Sequence, residues 1–338
     1  MRTSPLPLTV GELSEGELLD RILPRLAGGP PALLGPGDYA ALLSAPDGRV
    51  VVSTDTQTQD SDFRLVWPNG YRHTGRDVGW KAAAQNLSDI NAMGAVATGI
   101  VVSLTLPPGT EIGWVEDLAD GLAEAVAELG AASCALAGGD LGRGLELSVT
   151  ATVLGTLEGR APVLRSGARQ GDMLAVAGSL GPAAAGLALL EHGPDYGSLD
   201  GALRELIARQ CRPRPPLAAG PAAAEAGASA LMDLSDGLLK DAGRMAAASG
   251  VRLDLDPDVL ALSAESLRPA ADLLGADPLE WVLGGGEDHG LLAAFPARTQ
   301  LPHGFTAIGS VMPAEDGKPG VSVGGKPTAT RGWDHFAR

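Results

Sequence analysis

Strand-like apolar runs in this chain repeatedly emerge into a carboxylate set among small residues. Five stretches carry such an acid: "GPGDYAA" with Asp38, "VVSTD" with Asp55, "QNLSDINAMG" with Asp89, "LAGGDLGRG" with Asp140, and "MDLSDGL" with Asp233 and Asp236. Four of them place it beside glycine, serine or threonine at an expected strand end or turn, where small neighbours let a ligand approach the backbone. Taken singly, each acid is more simply a turn residue or a helix cap. Taken together they ask for a counter-charge. Clustered carboxylates repel one another, and hard cations such as Mg²⁺ relieve that repulsion. The formal charge of −16 over 338 residues opposes binding to nucleic acid. It still allows a phosphorylated small molecule, held through divalent cations.

The pattern between these acids alternates strand and helix. "LSEGELLDRILPRL" has helical spacing, with Ser14 as its cap and Pro24 near its end. A strand is expected at Val50–Thr54, a helix from Arg76 to Met93 closed by Gly94, and a second strand at Gly99–Pro107. A helix over Trp114–Leu129 and strands at Ala132–Asp140 and Leu145–Leu157 follow. Strand character fades in the polar stretch Glu158–Asp172, which sets the expected domains at 1–160 and 161–338. Beyond it, "MLAVAGSLG" reads as strand and turn before an Ala/Leu helix, "RPRPP" as a surface connection, and "ALMDLSDGLLKDAGRMAAASG" as strand, turn and helix. The fold class is therefore α/β or α+β in two domains.

Familiar chemistries drop out on inspection. Cys134 and Cys211 are the only cysteines, too few for a disulfide framework or a cysteine zinc site. The start lacks a signal-peptide core and no apolar run reaches bilayer length, so a cytoplasmic protein is expected. "GVSVGGKP" fails as a Walker loop because Pro327 stands where a hydroxyl is needed, and reads instead as a hairpin turn. No G-x-G-x-x-G follows a strand and no G-x-S-x-G elbow occurs. The five histidines lack metal-ligand spacing, and His289 in "GGGEDHG" reads as a loop residue. On the Arg76–Met93 helix, Lys81, Gln85 and Asp89 stack at four-residue intervals, the pattern of a solvated face or of a polar site.

Eight motifs, in order, carry a resemblance: "GPGDYAA", "VVSTD", "DVGWKAAAQNLSDINAMGA", "AGGDLGRG", "RSGARQGD", "MDLSDGL", "GGGED" and "GWDHF". The chain resembles the thiamine-monophosphate kinases, members of the aminoimidazole-ribonucleotide-synthetase-like ATP-binding superfamily, from about Gly35 to Phe336. The resemblance implies ATP-dependent phosphorylation of thiamine monophosphate to thiamine diphosphate with several Mg²⁺ ions. It implies an N-terminal α/β domain that binds ATP and Mg²⁺ and pairs its sheet across a homodimer, and a C-terminal α/β domain that closes over the site. Carried over motif by motif, Asp38, Ser53, Thr54, Asp55, Asp89, Asp140, Asp233 and Asp236 would hold metal. Gly139, Asp140, Arg165 and Ser235 would meet ATP, while Glu287 and Trp333 would meet the thiamine portion.

Such chemistry needs no side-chain base, since the acceptor is a phosphate oxygen already ionised at neutral pH. It needs in-line positioning and cancelled charge, with Arg165 adding charge-assisted hydrogen bonds. Two departures stand out. Tyr39 replaces one acid of the family's usual "GDDAA", and "QDSDF" replaces "EGVHF", so Asp62 occupies a substrate-contacting histidine's place. Another superfamily reaction with a different acceptor, or a nucleotide-binding regulator without turnover, are the alternatives.

Overall fold

The structure is a computed structural model and describes residues 7–26, 43–314 and 316–333. Its described residues fall into two compact units, the first within Met1–Trp67, Arg72–Leu87 and Ala97–Thr156, the second within Pro68–Tyr71, Ser88–Val96 and Leu157–Arg338.

In the first unit, strands β1 (Val51–Thr58), β2 (Val96–Leu106), β3 (Ala135–Arg143) and β4 (Ser148–Thr156) form one sheet in the order β1-β4-β2-β3. Alternation along β4 sets its faces. Val149, Ala151 and Val153 are fully buried, while Thr150, Thr152 and Leu154 between them are half-buried. β1 pairs antiparallel with β4, so Ser53, Asp55 and Gln57 stand level with Val153, Ala151 and Val149. Thr54 and Thr56 stand on the opposite face and hydrogen-bond across the ladder to Thr152 and Thr150, each at 2.9 Å. Cross-strand threonine pairs of this kind let a polar segment persist as strand. β1 therefore continues to Thr58, past the Thr54 limit expected from its apolar residues.

Helices α1 (Glu15–Leu26), α2 (Gly75–Ala92) and α3 (Ile112–Glu128) complete this part of the chain, the last turn of α2 belonging to the second unit. Ser14 caps α1 as expected, its N–H and hydroxyl donating to the Glu17 carboxylate at 2.8 and 2.7 Å. Thr74 and Asp77 make the same reciprocal arrangement at the start of α2, at 2.7 to 3.1 Å. α2 is buried nearly all round: Val78, Trp80, Lys81, Ala84, Asn86 and Ser88 are each at most 1% exposed. The Lys81 stripe is thus not a solvated face, because an alanine-rich helix this slim is packed on every side.

The second unit holds β5 (Met173–Ala177), β6 (Ala230–Leu234), β7 (Val251–Leu255), β8 (Gly290–Phe295), β9 (Phe305–Pro313), β10 (Gly320–Val323) and β11 (Lys326–Thr328). Their sheet runs β11-β10-β7-β9-β5-β8-β6, antiparallel except for β10 with β7. β8 is buried at every position, as its "GLLAAF" run requires of a central strand. The β10–β11 hairpin turns at Gly324-Gly325, both at positive φ, where the "GGKP" turn was expected. Helices α4 (Pro182–His192), α5 (Gly201–Cys211), α6 (Ala219–Glu225), α7 (Leu238–Ser249), α8 (Pro257–Glu265), α9 (Arg268–Leu274) and α10 (Pro278–Gly284) surround it in sequence. The "RPRPP" connection is not simply superficial, since Pro213 and Pro215 are buried. Cys134 and Cys211 are buried and form no disulfide. No helix of the described residues is long and apolar enough to cross a membrane.

Candidate active site

The densest polar constellation lies in the second unit, where β6 ends and turns into α7. Asp233 closes the strand, and Ser235, Asp236 and Gly237 make the turn. Gly237 has φ 113°, and a Cβ there would sit 2.6 Å from the Gly284 carbonyl oxygen, so only glycine fits. That close approach brings in the Gly284–His289 loop. Glu287 donates its N–H to the Ser235 carbonyl at 2.8 Å and takes a left-handed φ of 67°. His289 follows with φ 51°, 2% exposed, its Nδ1 3.6 Å from Asp233 Oδ2. His289 is a loop residue, as expected, but the loop folds inward and buries it. Ser88, beside Asp89 on the last turn of α2, donates to the same Asp233 oxygen at 3.4 Å.

Two further carboxylates, neither singled out by the sequence, hold this arrangement. Asp241 is fully buried and accepts the Asp236 and Gly237 N–H groups at 2.9 and 3.2 Å. Arg244 spans Asp236 and Asp241 at 2.6 and 2.8 Å, and Lys240 stands 3.5 Å from Asp236. Burial pushes the Asp241 carboxyl up to about 6. Asp288 is buried beneath the loop and receives Ser179 Oγ and the Gly181 and Ala183 N–H groups at 3.1, 2.6 and 3.2 Å. It pins the loop to the start of α4, and burial pushes its carboxyl up to about 6 as well. Their only sequence signal was an acid near a glycine-rich turn.

Trp333 joins the same turn through its backbone. Its N–H donates to the Asp236 carbonyl at 2.9 Å, and Lys240 Nζ donates to its carbonyl. The tail is anchored by main chain while the residue stays 49% exposed. Arg165 lies elsewhere in the unit, exposed, with its carbonyl accepting Ser249 Oγ at 3.4 Å. Ser249 ends α7, and the 12 residues of that helix span about 18 Å from the Asp236 turn.

In the first unit the expected ligands divide between two faces. Ser53 and Asp55 project with buried Ala151 and Val153, whereas Thr54 projects with Thr152. Asp55 is the fifth of eight strand residues, so it sits within the strand and not at its end. Asp140 is exposed and lies level with Ser103, away from buried Ile100 and Leu104. Gly139 beside it meets β2 so closely that a Cβ would be 1.8 Å from the Val102 carbonyl oxygen. Gly139 and Asp140 line a largely apolar cavity of about 850 Å³ with Ser103, Thr152 and, from α1 and α3, Leu19, Ile22, Leu118 and Leu122. Asp62 is engaged locally, its Oδ2 accepting the Thr58 N–H at 2.7 Å to close the turn after β1. Asp38 and Tyr39 lie outside the described residues.

These donors suit Mg²⁺ in kind, being carboxylate and hydroxyl oxygens. Among the described residues no three His, Cys, Asp or Glu side chains gather as a preformed cage. Mg²⁺ usually takes one or two carboxylates with waters and substrate phosphates, which fits the dispersed acids seen here.

Comparison with known proteins places this geometry. A model of the AIR synthase related protein N-terminal domain matches residues 37–157, and one of the AIR synthase related protein C-terminal domain matches residues 169–298. The fold is thus that of a two-domain AIR-synthase-related protein. A thiamine-monophosphate kinase from Mycobacterium tuberculosis H37Rv is 46% identical over 329 residues, covering 97% of this chain and 93% of the relative. A solved thiamine-monophosphate kinase from Stenotrophomonas maltophilia K279a superposes with a TM-score of 0.74 at 33% identity, covering 94% of this chain and 98% of the other. The solved complex of AaThiL with AMPPCP and TMP gives a TM-score of 0.74 at 30% identity over 99% and 100% of the two chains. The chain belongs to the thiamine-monophosphate kinase family.

Proposed function

We infer that this protein transfers the terminal phosphoryl group of ATP to the phosphate of thiamine monophosphate, releasing thiamine diphosphate and ADP. The observation that carries this reading is the 46% identity to a thiamine-monophosphate kinase over 97% of the chain. The fold shared with a relative solved with AMPPCP and TMP supports it.

The acceptor oxygen is ionised at neutral pH, so the side chains need only position two anions and offset their repulsion. Ser53, Asp55, Asp89, Asp140, Asp233 and Asp236, with Asp38, would hold Mg²⁺, while Thr54, whose side chain stands on the opposite face of β1, would reach it only through its backbone. When bound, Mg²⁺ supplies charge neutralisation and a template for the phosphates. The Arg244 and Lys240 contacts hold the Asp236 carboxylate in place at the turn. Gly139, Asp140, Ser235 and Arg165 would meet the nucleotide, and the 850 Å³ cavity beside the first two falls in the usual range for small-molecule sites. Glu287 and Trp333 would meet thiamine, Trp333 through its exposed portion. Asp62, tied to Thr58, would offer only its remaining lone pairs to substrate, as an acceptor where the family has a histidine.

Residues 1–160 would supply most of the Mg²⁺ and nucleotide contacts, and 161–338 would meet substrate while adding Arg165, Asp233, Ser235 and Asp236 to the nucleotide and metal set. A homodimer and a cytoplasmic location go with this reading. The outward face of the first sheet, with Val52 62% exposed beside Thr54 and Thr56, is a surface a second copy would cover. The test is conversion of ATP and thiamine monophosphate to ADP and thiamine diphosphate by the purified protein with Mg²⁺. Absence of thiamine diphosphate while ATP binds would mean another acceptor or no turnover.

A further inference from the structure

Gln210, next to last in α5, is 3% exposed. Its amide orientation is set by Glu287: Nε2 donates to Glu287 Oε2 at 2.5 Å, and an ionised carboxylate can only accept. The carbonyl oxygen Oε1 must therefore point elsewhere, and it is buried without a hydrogen-bond partner. Buried acceptors are rarely left so in native proteins, and one beside a binding residue asks for a donor from outside the chain.

The neighbouring carboxylate is equally constrained. Glu287 is held by its left-handed φ of 67° and by its N–H bond to Ser235. Its side chain also stays partly exposed. The fixed carboxylate and the unsatisfied amide oxygen belong to one hydrogen-bonded pair of side chains, two acceptors suited to a group with two N–H donors. Gln57 and Asn86 also bury unsatisfied amide oxygens, but neither contacts a residue expected to meet substrate.

We propose that Gln210 is a specificity-determining residue whose Oε1 accepts one N–H of the exocyclic amine on the substrate's pyrimidine, while Glu287 accepts the other. The proposal rests on thiamine monophosphate being the acceptor substrate. A pyrimidine carrying oxygen in place of that amine would set acceptor against acceptor and be rejected, the discrimination open to a site built around a substrate N–H.

The test compares the KM of thiamine monophosphate with the Ki of its 4-oxo analogue for wild type, Gln210→Met and Gln210→Asn. Neither constant depends on the fraction of protein folded, and two variants guard against one failing to fold. In a folded variant the KM should rise about tenfold or more, with kcat and the KM of ATP little changed. The Ki of the analogue should stay constant or fall. An unchanged ratio of Ki to KM in the variants would assign Oε1 to bound water and overturn the proposal. Failure of the wild type to form thiamine diphosphate would instead overturn the functional reading on which it rests.

Discussion

The β1 strand and the β6–α7 turn carry similar acids in similar surroundings, "STD" in one and "DLSDG" in the other, yet the chain uses them differently. In β1 the two-residue period sends Asp55 to the helix-covered face and Thr54 to the outward one. A strand can present one of these side chains to a ligand but not both. In the turn, the positive φ of Gly237 folds the backbone back on itself, and Asp233, Ser235 and Asp236 meet Glu287, His289 and Trp333. The strand offers one carboxylate on a rigid ladder. The turn offers a cluster whose charges are balanced by Arg244 and whose backbone is tied by Asp241. Small residues beside an acid therefore signal access in both places, and convergence only in the second.

The comparison can be broken most severely at Asp55. Asp55→Asn removes a metal-type ligand but keeps size and strand pairing, so kcat/KM should fall by about a thousandfold, several kcal/mol of transition-state stabilisation. Thr54→Val beside it should leave turnover near wild type, since valine suits a strand and only a threonine pair is lost. Steady-state kinetics on both variants checks this, and equal losses would show that strand alternation does not sort the two. In the turn the backbone is the vulnerable part. Gly237→Ala should cost about 3 kcal/mol in urea unfolding, because alanine meets both the unfavourable φ and the Gly284 carbonyl. A loss under ~1 kcal/mol would mean the turn relaxes.

The smallest effect concerns Asp288. Its folded carboxyl is pushed up to about 6 by burial, above its ordinary value of 3.8, so the folded state holds the proton more tightly than the unfolded chain. The stability it contributes is full below about pH 4 and declines as pH rises to about 6. Asp288→Asn should remove that slope, about 1.4 kcal/mol per pH unit within the window. Unfolding curves from pH 4 to 7 with the same slope for both proteins would contradict the assignment.

Much of this frame was legible because local chemistry and tertiary structure agree. The Ser14 cap, the α2 boundaries, the β6-turn-α7 unit and the Gly324-Gly325 hairpin all follow from residues acting within a few positions of themselves. The reading failed where distant packing decides. Lys81 repeats at a solvated spacing but is 1% exposed, because the whole circumference of α2 is covered. β1 outran its apolar residues because β4 supplies threonine partners. His289 and Asp288 looked like the polar end of a loop, and their burial depends on Gly237 admitting that loop against the turn. Gln210 gave no signal at all. A single amide on an amphipathic helix acquires meaning only when Glu287 fixes its orientation. The motif order that marks the family was plain in the chain, whereas the division of its acids between two sheet faces and one turn required the ladder registers.

The most direct measurement runs the proposed conversion with ATP labelled by ¹⁸O on the three terminal γ-oxygens and follows the phosphates of thiamine diphosphate by mass spectrometry or ³¹P NMR. Direct transfer predicts that the terminal phosphate of the product carries all three labels, with one ADP formed per thiamine diphosphate. Label appearing only in inorganic phosphate, with thiamine monophosphate unchanged, would contradict the account.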